Sequence, residues 1–275
     1  MNAVQIKELE LLKIFISICE KYHIKYFLAC GSVLGAIKYK GFIPWDDDID
    51  VCLLRPDYER FLDVANAEIP EWCFIQNSKT DPAFPHFFSK LRNSNTTFIE
   101  KGTAHLHINH GIYLDIFPID GYPFDKKDIK FFEFRKKLIF WKSLCALKGN
   151  SNKKIIFRDF VFRIFGFHKR TALNLQKFER LVKKFPIENS KLYCNFGNWQ
   201  GKLDYACKEQ YGEGVFANFE GINVRIPEKY NEYLTQKYGD WRKDPDFDKQ
   251  KSHHNVLICD TEKSFTEYIN LTHKR

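Results

Sequence analysis

The sequence contains no apolar run approaching the roughly 20 residues that a membrane-spanning helix needs. Its eight cysteines occur singly, with no Cys-x-x-Cys pair, which argues against a disulfide framework and against a structural zinc site. Internal repeats and low-complexity tracts are also lacking. The first 24 residues are amphipathic and carry Glu8, Glu10 and Glu20, unlike a signal peptide. We therefore expect a globular protein with reduced thiols in the cytoplasm.

The 275 residues suffice for one large domain or two small ones, and 44% of them are hydrophobic, with 27 phenylalanines. Their charge is unevenly distributed along the chain. Residues 125–191 contain 19 Lys and Arg against 6 Asp and Glu, a net of +13, whereas the rest contains 24 against 29, a net of −5. This asymmetry indicates an anionic partner for the middle of the chain.

Hydrophobic periodicity predicts an α+β fold, a mixed sheet flanked by helices. Strands are expected at 26–29, 48–54, 72–76, 86–92, 97–100, 111–117, 215–219 and 222–225. Helices are expected at 4–22, 32–39, 56–67 and 227–238, with three more between 126 and 185. We interpret this order as a catalytic core (1–124), a basic helical insertion (125–191) and a C-terminal part that completes the core (192–275).

Four aspartates, Asp46, Asp47, Asp48 and Asp50, lead directly into the apolar residues 51–54. A buried, unpaired carboxylate is costly, so acids within a strand indicate that something binds them. Because side chains alternate along a strand, Asp48 and Asp50 are expected on one face. That spacing suits one or two hard divalent cations such as Mg²⁺ or Mn²⁺. For Asp46 and Asp47, a solvated acidic turn remains the alternative.

Asp115, in another apolar strand, is the expected third carboxylate of this site. Acids from adjacent strands would allow metal bridging, with one of them placed to accept the proton of an attacking hydroxyl. A structural salt bridge from Asp115 to Lys90 or Arg92 is the alternative. Asp120 follows Pro118 and is predicted to lie in a turn.

Gly31 and Ser32 end the first apolar run and open the first short helix, where free backbone N–H groups suit a phosphate. Ser32 would donate its hydroxyl, with the N–H groups of Ser32 and Val33, although a simple helix cap explains the pair equally. Lys38 and Arg92 are candidates to neutralise a diphosphate, and the fork-shaped guanidinium makes Arg92 the better one. A phosphate cradle beside a metal-binding acid pair predicts phosphoryl transfer.

His105, His107 and His110 have a spacing that suits zinc, but the sequence around them supplies no further ligand. We therefore interpret them as part of a partly exposed loop.

Four segments resemble the LicD family of phosphotransferases, whose relatives include fukutin and fukutin-related protein. They are GSVLGAIKYKGFIPWDDDIDV (31–51), FSKLRNSNT (88–96), GIYLDIFPIDG (111–121) and IPEKYNEYLTQKYGDWRKDP…KSHH (226–254). The insertion shows no such match. The resemblance implies a nucleotidyltransferase-like fold, with the metal-binding acids at Asp48 and Asp50. It also makes His253 a candidate for phosphate binding or catalysis.

The resemblance further implies transfer of phosphocholine from CDP-choline onto a sugar hydroxyl of a cell-surface or lipid-linked glycan. If the donor carries a trimethylammonium group, Trp45 beside the acids is a candidate to hold it, with core packing as the alternative. Donors such as CDP-ribitol or CDP-glycerol remain open. An Asp-x-Asp glycosyltransferase using a nucleotide sugar is disfavoured, because only 47 residues precede Asp48.

The basic insertion leaves three interpretations open: an anionic membrane surface, an acidic or lipid-linked acceptor, and a solvated helical subdomain. Its mixture of Phe and Arg is typical of interfacial helices. Nucleic acid is disfavoured as a partner because no recognition motif accompanies the charge. A non-catalytic basic interaction module remains the alternative to an enzyme.

Overall fold

A mixed β-sheet organises the fold in the computed structural model, which describes residues 1–123, 125–148, 152–197, 204–252 and 254–269. The strands are β1 (Phe27–Leu28), β2 (Asp50–Leu54), β3 (Cys73–Gln76), β4 (Ser89–Asn93), β5 (Thr97–Glu100), β6 (Ile112–Gly121), β7 (Leu192–Asn195), β8 (Tyr205–Cys207), β9 (Val215–Phe219), β10 (Ile222–Ile226) and β11 (Val256–Asp260). The helices are α1 (Ala3–Lys21), α2 (Cys30–Leu34), α3 (Arg55–Glu68), α4 (Lys126–Leu144), α5 (Lys153–Ile164), α6 (Thr171–Val182), α7 (Lys208–Tyr211) and α8 (Tyr230–Tyr238).

The main sheet contains the strand order β1-β2-β6-β4-β3. β2 and β6 are parallel, whereas β1 with β2, β6 with β4, and β4 with β3 are antiparallel. Beyond the end of β4, β7 pairs with β6, and β8 then pairs with β7. β9 and β10 form a separate hairpin, and β11 pairs with β5. The predicted α+β class with a mixed sheet is therefore confirmed.

Helices α1 and α3 pack against the sheet through apolar stripes that recur every three or four residues. Their bounds agree with the predicted helices at 4–22 and 56–67. Phe15 of α1 and Phe61 of α3 are both fully buried, and their ring centroids lie 4.9 Å apart. Burying a side chain of this size stabilises the fold by about 1.5–3 kcal/mol, so these contacts fix the helices on the sheet.

The basic insertion forms the three helices predicted for it: α4, α5 and α6. Phe132 of α4 joins a second hydrophobic core that also contains Phe196, which follows β7. Glu133 of α4 accepts hydrogen bonds from the hydroxyls of Tyr122 and Tyr205. The insertion is thus attached to both of the segments that it separates in sequence. Within the described ranges, no helix combines the length and apolar character needed to span a bilayer.

The predicted end of a strand at Pro118 is wrong, because β6 continues to Gly121. β4 pairs with β6 only as far as Ile116, and β7 begins to pair at Ile119. Pro118 therefore lies where this side of β6 changes neighbours and where its missing N–H leaves no ladder hydrogen bond unmade. As a consequence Asp120, which was predicted to lie in a turn, is a buried strand residue.

Asp120 forms a two-pronged ion pair with Arg55 at the start of α3: Arg55 Nε and Nη2 donate to its two carboxylate oxygens at 2.7 and 2.6 Å. We expect Asp120→Ala to lower the free energy of unfolding by about 3–5 kcal/mol, because the arginine would lose its counter-charge while remaining largely buried. Urea unfolding at neutral pH measures the change.

The double variant Arg55→Met/Asp120→Leu is the matched control and should recover much of this loss, because no charge is left buried alone. Asp246→Ala removes an exposed ion pair to Lys249 and should cost less than about 1 kcal/mol. Equal costs for Asp120→Ala and Asp246→Ala would contradict the assignment.

Candidate active site

Asp50, Asp115 and Lys90 lie side by side on three adjacent strands. Asp50 of β2 is in register with Asp115 of β6, and Asp115 is in register with Lys90 of β4. Lys90 Nζ lies 2.8 Å from Asp115 Oδ1, so the ion pair considered as an alternative role for Asp115 is present. Asp50 and Asp115 are nevertheless adjacent, as predicted, because β2 and β6 are neighbouring parallel strands.

Asp48 lies in the loop before β2, which begins at Asp50 and not at residue 48 as the sequence predicted. Asp46 and Asp48 share a hydrogen bond in this loop. The Asp46 carboxylate lies close above Gly31, where an added Cβ would come within 2.9 Å of Oδ2. Gln5 of α1 donates from Nε2 to the Asp46 carbonyl oxygen at 2.9 Å. The acidic loop is therefore held between the Gly31 turn and α1.

The segment before β11 reaches the acidic loop from the C-terminal part of the chain. Ser252 Oγ donates to Asp47 at 2.7 Å, and His254 Nδ1 lies 2.9 Å from Asp47 Oδ1. On the other side of the ring, His254 Nε2 lies 3.2 Å from the Tyr113 hydroxyl and 3.7 Å from Asp48 Oδ2. His254 thus connects the acidic loop to β6.

Glu8 of α1 is a further carboxylate at this place, and sequence analysis did not assign it to the site. It is 1% exposed, and its Oε2 has no hydrogen-bond partner in the described part of the chain. It shares the helix face of Leu11, Leu12 and Phe15, which are all buried. An acid on the apolar stripe of an amphipathic helix was the signal that could have identified it.

Most carboxylates of the cluster have raised pKa values, chiefly because they are buried. Asp47 is the exception: burial raises its pKa too, but the hydrogen bonds from His254 and Ser252 outweigh that effect and lower it. Burial, followed by the charge of Asp46, raises the pKa of Asp48 to about 7. Burial and the charges of Asp48 and Asp115 raise the pKa of Asp50 well above its ordinary value. The pKa of Glu8 is likewise raised well above the ordinary value, by burial and by the acidic loop. Ionising all of these carboxylates together is therefore unfavourable in the absence of a compensating positive charge.

Two cationic groups face the acids. Burial raises the pKa of Asp115, although the charge of Lys90 opposes the change. Burial lowers the pKa of His254, but its hydrogen bond to Asp47 and the charge of Asp48 outweigh that effect and raise it to about 9. His254 is therefore a cation at neutral pH. The neighbouring His253, the predicted site histidine, lies outside the described residues.

Ser32 and Gly31 are arranged differently from the predicted phosphate cradle. Ser32 Oγ accepts a hydrogen bond from the Asp50 amide at 2.9 Å, and so helps to position that acid. The N–H groups of Ser32 and Val33 both donate to the Ala29 carbonyl oxygen. These two amides are thus engaged within the chain, while the substrate-binding roles of Gly31 and Ser32 stay predictions.

Three other predicted substrate-binding residues make contacts of their own. Arg92 donates to Gln76 Oε1 at 2.5 Å and to the Gly111 carbonyl oxygen at 2.6 Å, and it is 3% exposed. Lys38 Nζ lies 2.6 Å from Asp244. Trp45 is half-buried beside the acidic loop. Its ring packs edge-to-face on that of Tyr39, a contact of the kind expected under the alternative of core packing. The buried bonds of Arg92 favour a structural role over diphosphate binding.

The hydrogen bonds found for the histidines of the predicted loop are with backbone carbonyl groups and not with these acids. His105 Nε2 lies 2.9 Å from the Ala146 carbonyl oxygen, and His110 Nε2 lies 3.1 Å from that of Leu106. His107 is exposed, whereas His110 is buried. The expectation of a partly exposed loop is therefore confirmed for His107.

Among the described side chains, no three His, Cys, Asp or Glu residues already surround one point as metal ligands do. The chemistry of the acid cluster nevertheless fits a hard cation, since its donors are carboxylate oxygens. The unpartnered Oε2 of Glu8 and the raised pKa values of Asp48 and Asp50 have the same cause, which is negative charge without enough compensation. A divalent cation would supply that compensation. The assignment of Asp48, Asp50 and Asp115 to metal binding stays a prediction, which this donor chemistry supports.

We expect the protein to lose stability as the pH rises from about 5 to 9 in cation-free buffer. A folded-state pKa of about 7 for Asp48, against an ordinary 3.8, means that stability falls as the pH rises through 7. The raised pKa of His254, about 9 against 6.5, adds stability that is fully present below 6.5 and is lost through 9. Thermal unfolding across this pH range tests both signs.

Asp48→Asn should raise the melting temperature at pH 8, by about 2–4 °C for each kcal/mol of relieved charge burial. Asp63→Asn, at an exposed position of α3, is the matched control and should follow the parent protein. A melting temperature of the parent that stays constant from pH 5 to 8 would contradict the electrostatic account.

Comparison with known proteins agrees with the expected resemblance. Residues 23–153 match the family model described as LicD/FKTN/FKRP, nucleotidyltransferase domain. The chain is 32% identical over 258 residues to the lipopolysaccharide cholinephosphotransferase LicD of Haemophilus influenzae, an alignment that covers 90% of this chain and 92% of that relative. An uncharacterized protein of Rickettsia typhi is 42% identical over 41 residues, 15% of this chain and 13% of its own. With an alignment that extends over nearly all of both chains, this protein belongs to the LicD family.

Proposed function

We propose that this chain is a cation-dependent phosphotransferase that moves phosphocholine from CDP-choline onto a sugar hydroxyl of lipopolysaccharide. One observation carries the proposal: Asp50 and Asp115 stand in register on parallel strands, with Asp48 close enough to raise the pKa of both. The substrate class is taken from the Haemophilus influenzae relative, whose name states lipopolysaccharide and cholinephosphotransferase. Two finer features are part of the same proposal: a nucleotidyltransferase-like sheet and a cytoplasmic location.

In this proposal Asp48, Asp50 and Asp115 hold Mg²⁺ or Mn²⁺, and Glu8 adds a fourth carboxylate from α1. The bound cation would supply positive charge to offset the diphosphate of the donor. Ser32 holds the Asp50 backbone through its hydroxyl, so that the first acid of β2 has a fixed position. Lys90, whose Nζ lies 2.8 Å from Asp115 Oδ1, opposes the rise in the pKa of Asp115 that burial causes.

Side chains of the protein then bind the diphosphate and accept one proton. His254 remains protonated at neutral pH and offers a charge-assisted donor to the diphosphate. One of the three aspartates would also accept the proton of the attacking sugar hydroxyl. The new phosphorus–oxygen bond forms as the bond to CMP breaks, and catalysis consists mainly of positioning and charge neutralisation.

Trp45 is proposed to contact the choline group. It is half-buried next to the acidic loop, so part of its ring faces solvent beside the proposed diphosphate site. An aromatic face attracts a quaternary ammonium group electrostatically. Because ribitol and glycerol carry no positive charge, this contact would favour a choline donor over CDP-ribitol or CDP-glycerol.

Calorimetric titration with CDP-choline, CDP-ribitol, CDP-glycerol and UDP-glucose, each with and without Mg²⁺ or Mn²⁺, tests the donor. We expect cation-dependent binding of CDP-choline. Binding of CDP-ribitol or CDP-glycerol in its place would keep the reaction class and change the transferred group. Binding of UDP-glucose alone would favour a glycosyltransferase, and silence from all four would contradict the proposal.

In a rate assay of phosphocholine transfer from CDP-choline, Asp50→Asn should lower turnover about 100- to 1000-fold, the usual effect of removing one charge-stabilising group. The fold should persist, because the contact of Ser32 is to the Asp50 backbone and not to its carboxylate. Asp63→Asn again serves as the exposed control. Turnover within about threefold of the parent in Asp50→Asn would remove this acid from the site.

Glu8→Gln should weaken Mn²⁺ binding by about 10-fold or more while raising the melting temperature in cation-free buffer. The amide keeps the shape of the side chain but removes a buried negative charge, so cation affinity and apo stability should change in opposite directions. Glu10→Gln, on the exposed side of the same helix, should alter neither. If only the melting temperature changes, Glu8 has a structural role alone.

A further inference from the structure

Helix α5 turns its apolar side towards solvent. Phe157, Phe160 and Ile164 are 70%, 60% and 66% exposed, and Ile156 and the adjoining Phe165 are also exposed. Positions 157, 160 and 164 recur at intervals of three and four, so they form one stripe along the helix. We call these five residues the α5 face. A monomeric soluble protein rarely leaves a contiguous apolar surface of this kind uncovered.

Polar contacts on the other side of α5 fix this orientation. Asp159 is buried and accepts hydrogen bonds from Arg158 Nε and Nη2 at 2.9 and 2.6 Å. Arg163 donates to the carbonyl oxygens of Cys145 and Leu147 at 2.8 and 2.7 Å, just beyond the end of α4. The helix therefore buries Asp159 and exposes Phe157 and Phe160, whereas an ordinary surface helix exposes its charged side chains.

Cationic side chains border the α5 face at both ends of the segment. Lys153 and Lys154 begin the helix, and Lys169 and Arg170 follow it, and all four are exposed. Asp159 is the one acid in the sequence from 153 to 170, and it is the acid that the helix buries. The exposed surface of this segment therefore combines large apolar groups with positive charge alone.

We propose that the α5 face docks on the surface of an anionic phospholipid bilayer. Phenylalanine and isoleucine side chains on one face of a helix, with lysine and arginine beside them, suit insertion at the boundary between headgroups and acyl chains. Anionic headgroups complement the +13 net charge of residues 125–191.

The inference goes beyond the proposed reaction and does not depend on which donor is used. Vesicle binding and donor binding are separate measurements, so failure of either one is distinguishable from failure of the other. If both hold, the α5 face would keep the enzyme at the surface where a lipid-borne acceptor is anchored.

Co-sedimentation with vesicles of phosphatidylglycerol and phosphatidylcholine, compared with pure phosphatidylcholine, tests the docking. The parent protein should bind the anionic vesicles at least 10-fold more strongly. Phe157→Ser/Phe160→Ser/Ile164→Ser should lower the partition coefficient at least 10-fold. Because these side chains are exposed, the melting temperature should change little. Phe247→Ser, which replaces a phenylalanine that is 90% exposed elsewhere, is the matched control and should bind within twofold of the parent.

The charge contribution has its own variant, Lys153→Gln/Lys154→Gln/Lys169→Gln/Arg170→Gln, which should lose most of the preference for anionic vesicles. Hydrolysis of free CDP-choline should stay within twofold of the parent in both multiple variants. Absence of vesicle binding in the parent, or equal loss in Phe247→Ser, would overturn the proposal. Concentration-dependent self-association that the α5 variants abolish, without vesicle binding, would assign the face to a second copy of this chain.

Discussion

Negative charge that is buried with negative charge is the constraint on which the site depends. Glu8, Asp46, Asp48, Asp50 and Asp115 lie together in a place that burial makes unfavourable for each of them. A fold tolerates such crowding only with protons, cationic side chains or a bound cation as compensation. Burial and mutual repulsion raise the pKa values of these acids, Lys90 and His254 supply part of the compensation, and Glu8 Oε2 is left without a hydrogen-bond partner in the described part of the chain.

Local patterns predicted those parts of the fold that local physics determines. The amphipathic stripes of α1 and α3, the hairpin of β9 and β10, and the helices of the insertion could each be derived from residues near in sequence. Pro118 could not, because its tolerance depends on where β4 ends and β7 begins. β7 and β11 were missed for the same reason: each is a short strand that pairs with a strand distant in sequence. β8 is three residues long and, among the described strands, pairs only with β7.

The site shows the same division between local and distant information. Alternating apolar residues around Asp50 and Asp115 indicated that both acids were on strands, and parallel pairing then placed them together. Whether Asp115 would bind a cation or pair with Lys90 was undecidable from sequence, since both contacts arise from strand order. His254 was missed beside the predicted His253, because nothing in the sequence distinguishes two adjacent histidines; the contact of His254 with Asp47 is between residues 207 positions apart.

The site also draws on residues that the recognised domain does not contain. The family match spans residues 23–153, but Glu8 precedes it, and Ser252 and His254 lie about 100 residues beyond its end. These residues contact or face the acidic loop from α1 on one side and from the segment before β11 on the other. Of these residues, Ser252 and His254 stabilise the acidic loop, by hydrogen bonds to Asp47 and by the positive charge of His254, whereas Glu8 adds a further negative charge. The geometry of the acids is therefore a property of the whole chain, and a fragment limited to the matched domain would lack the groups that hold Asp47 and face Asp48.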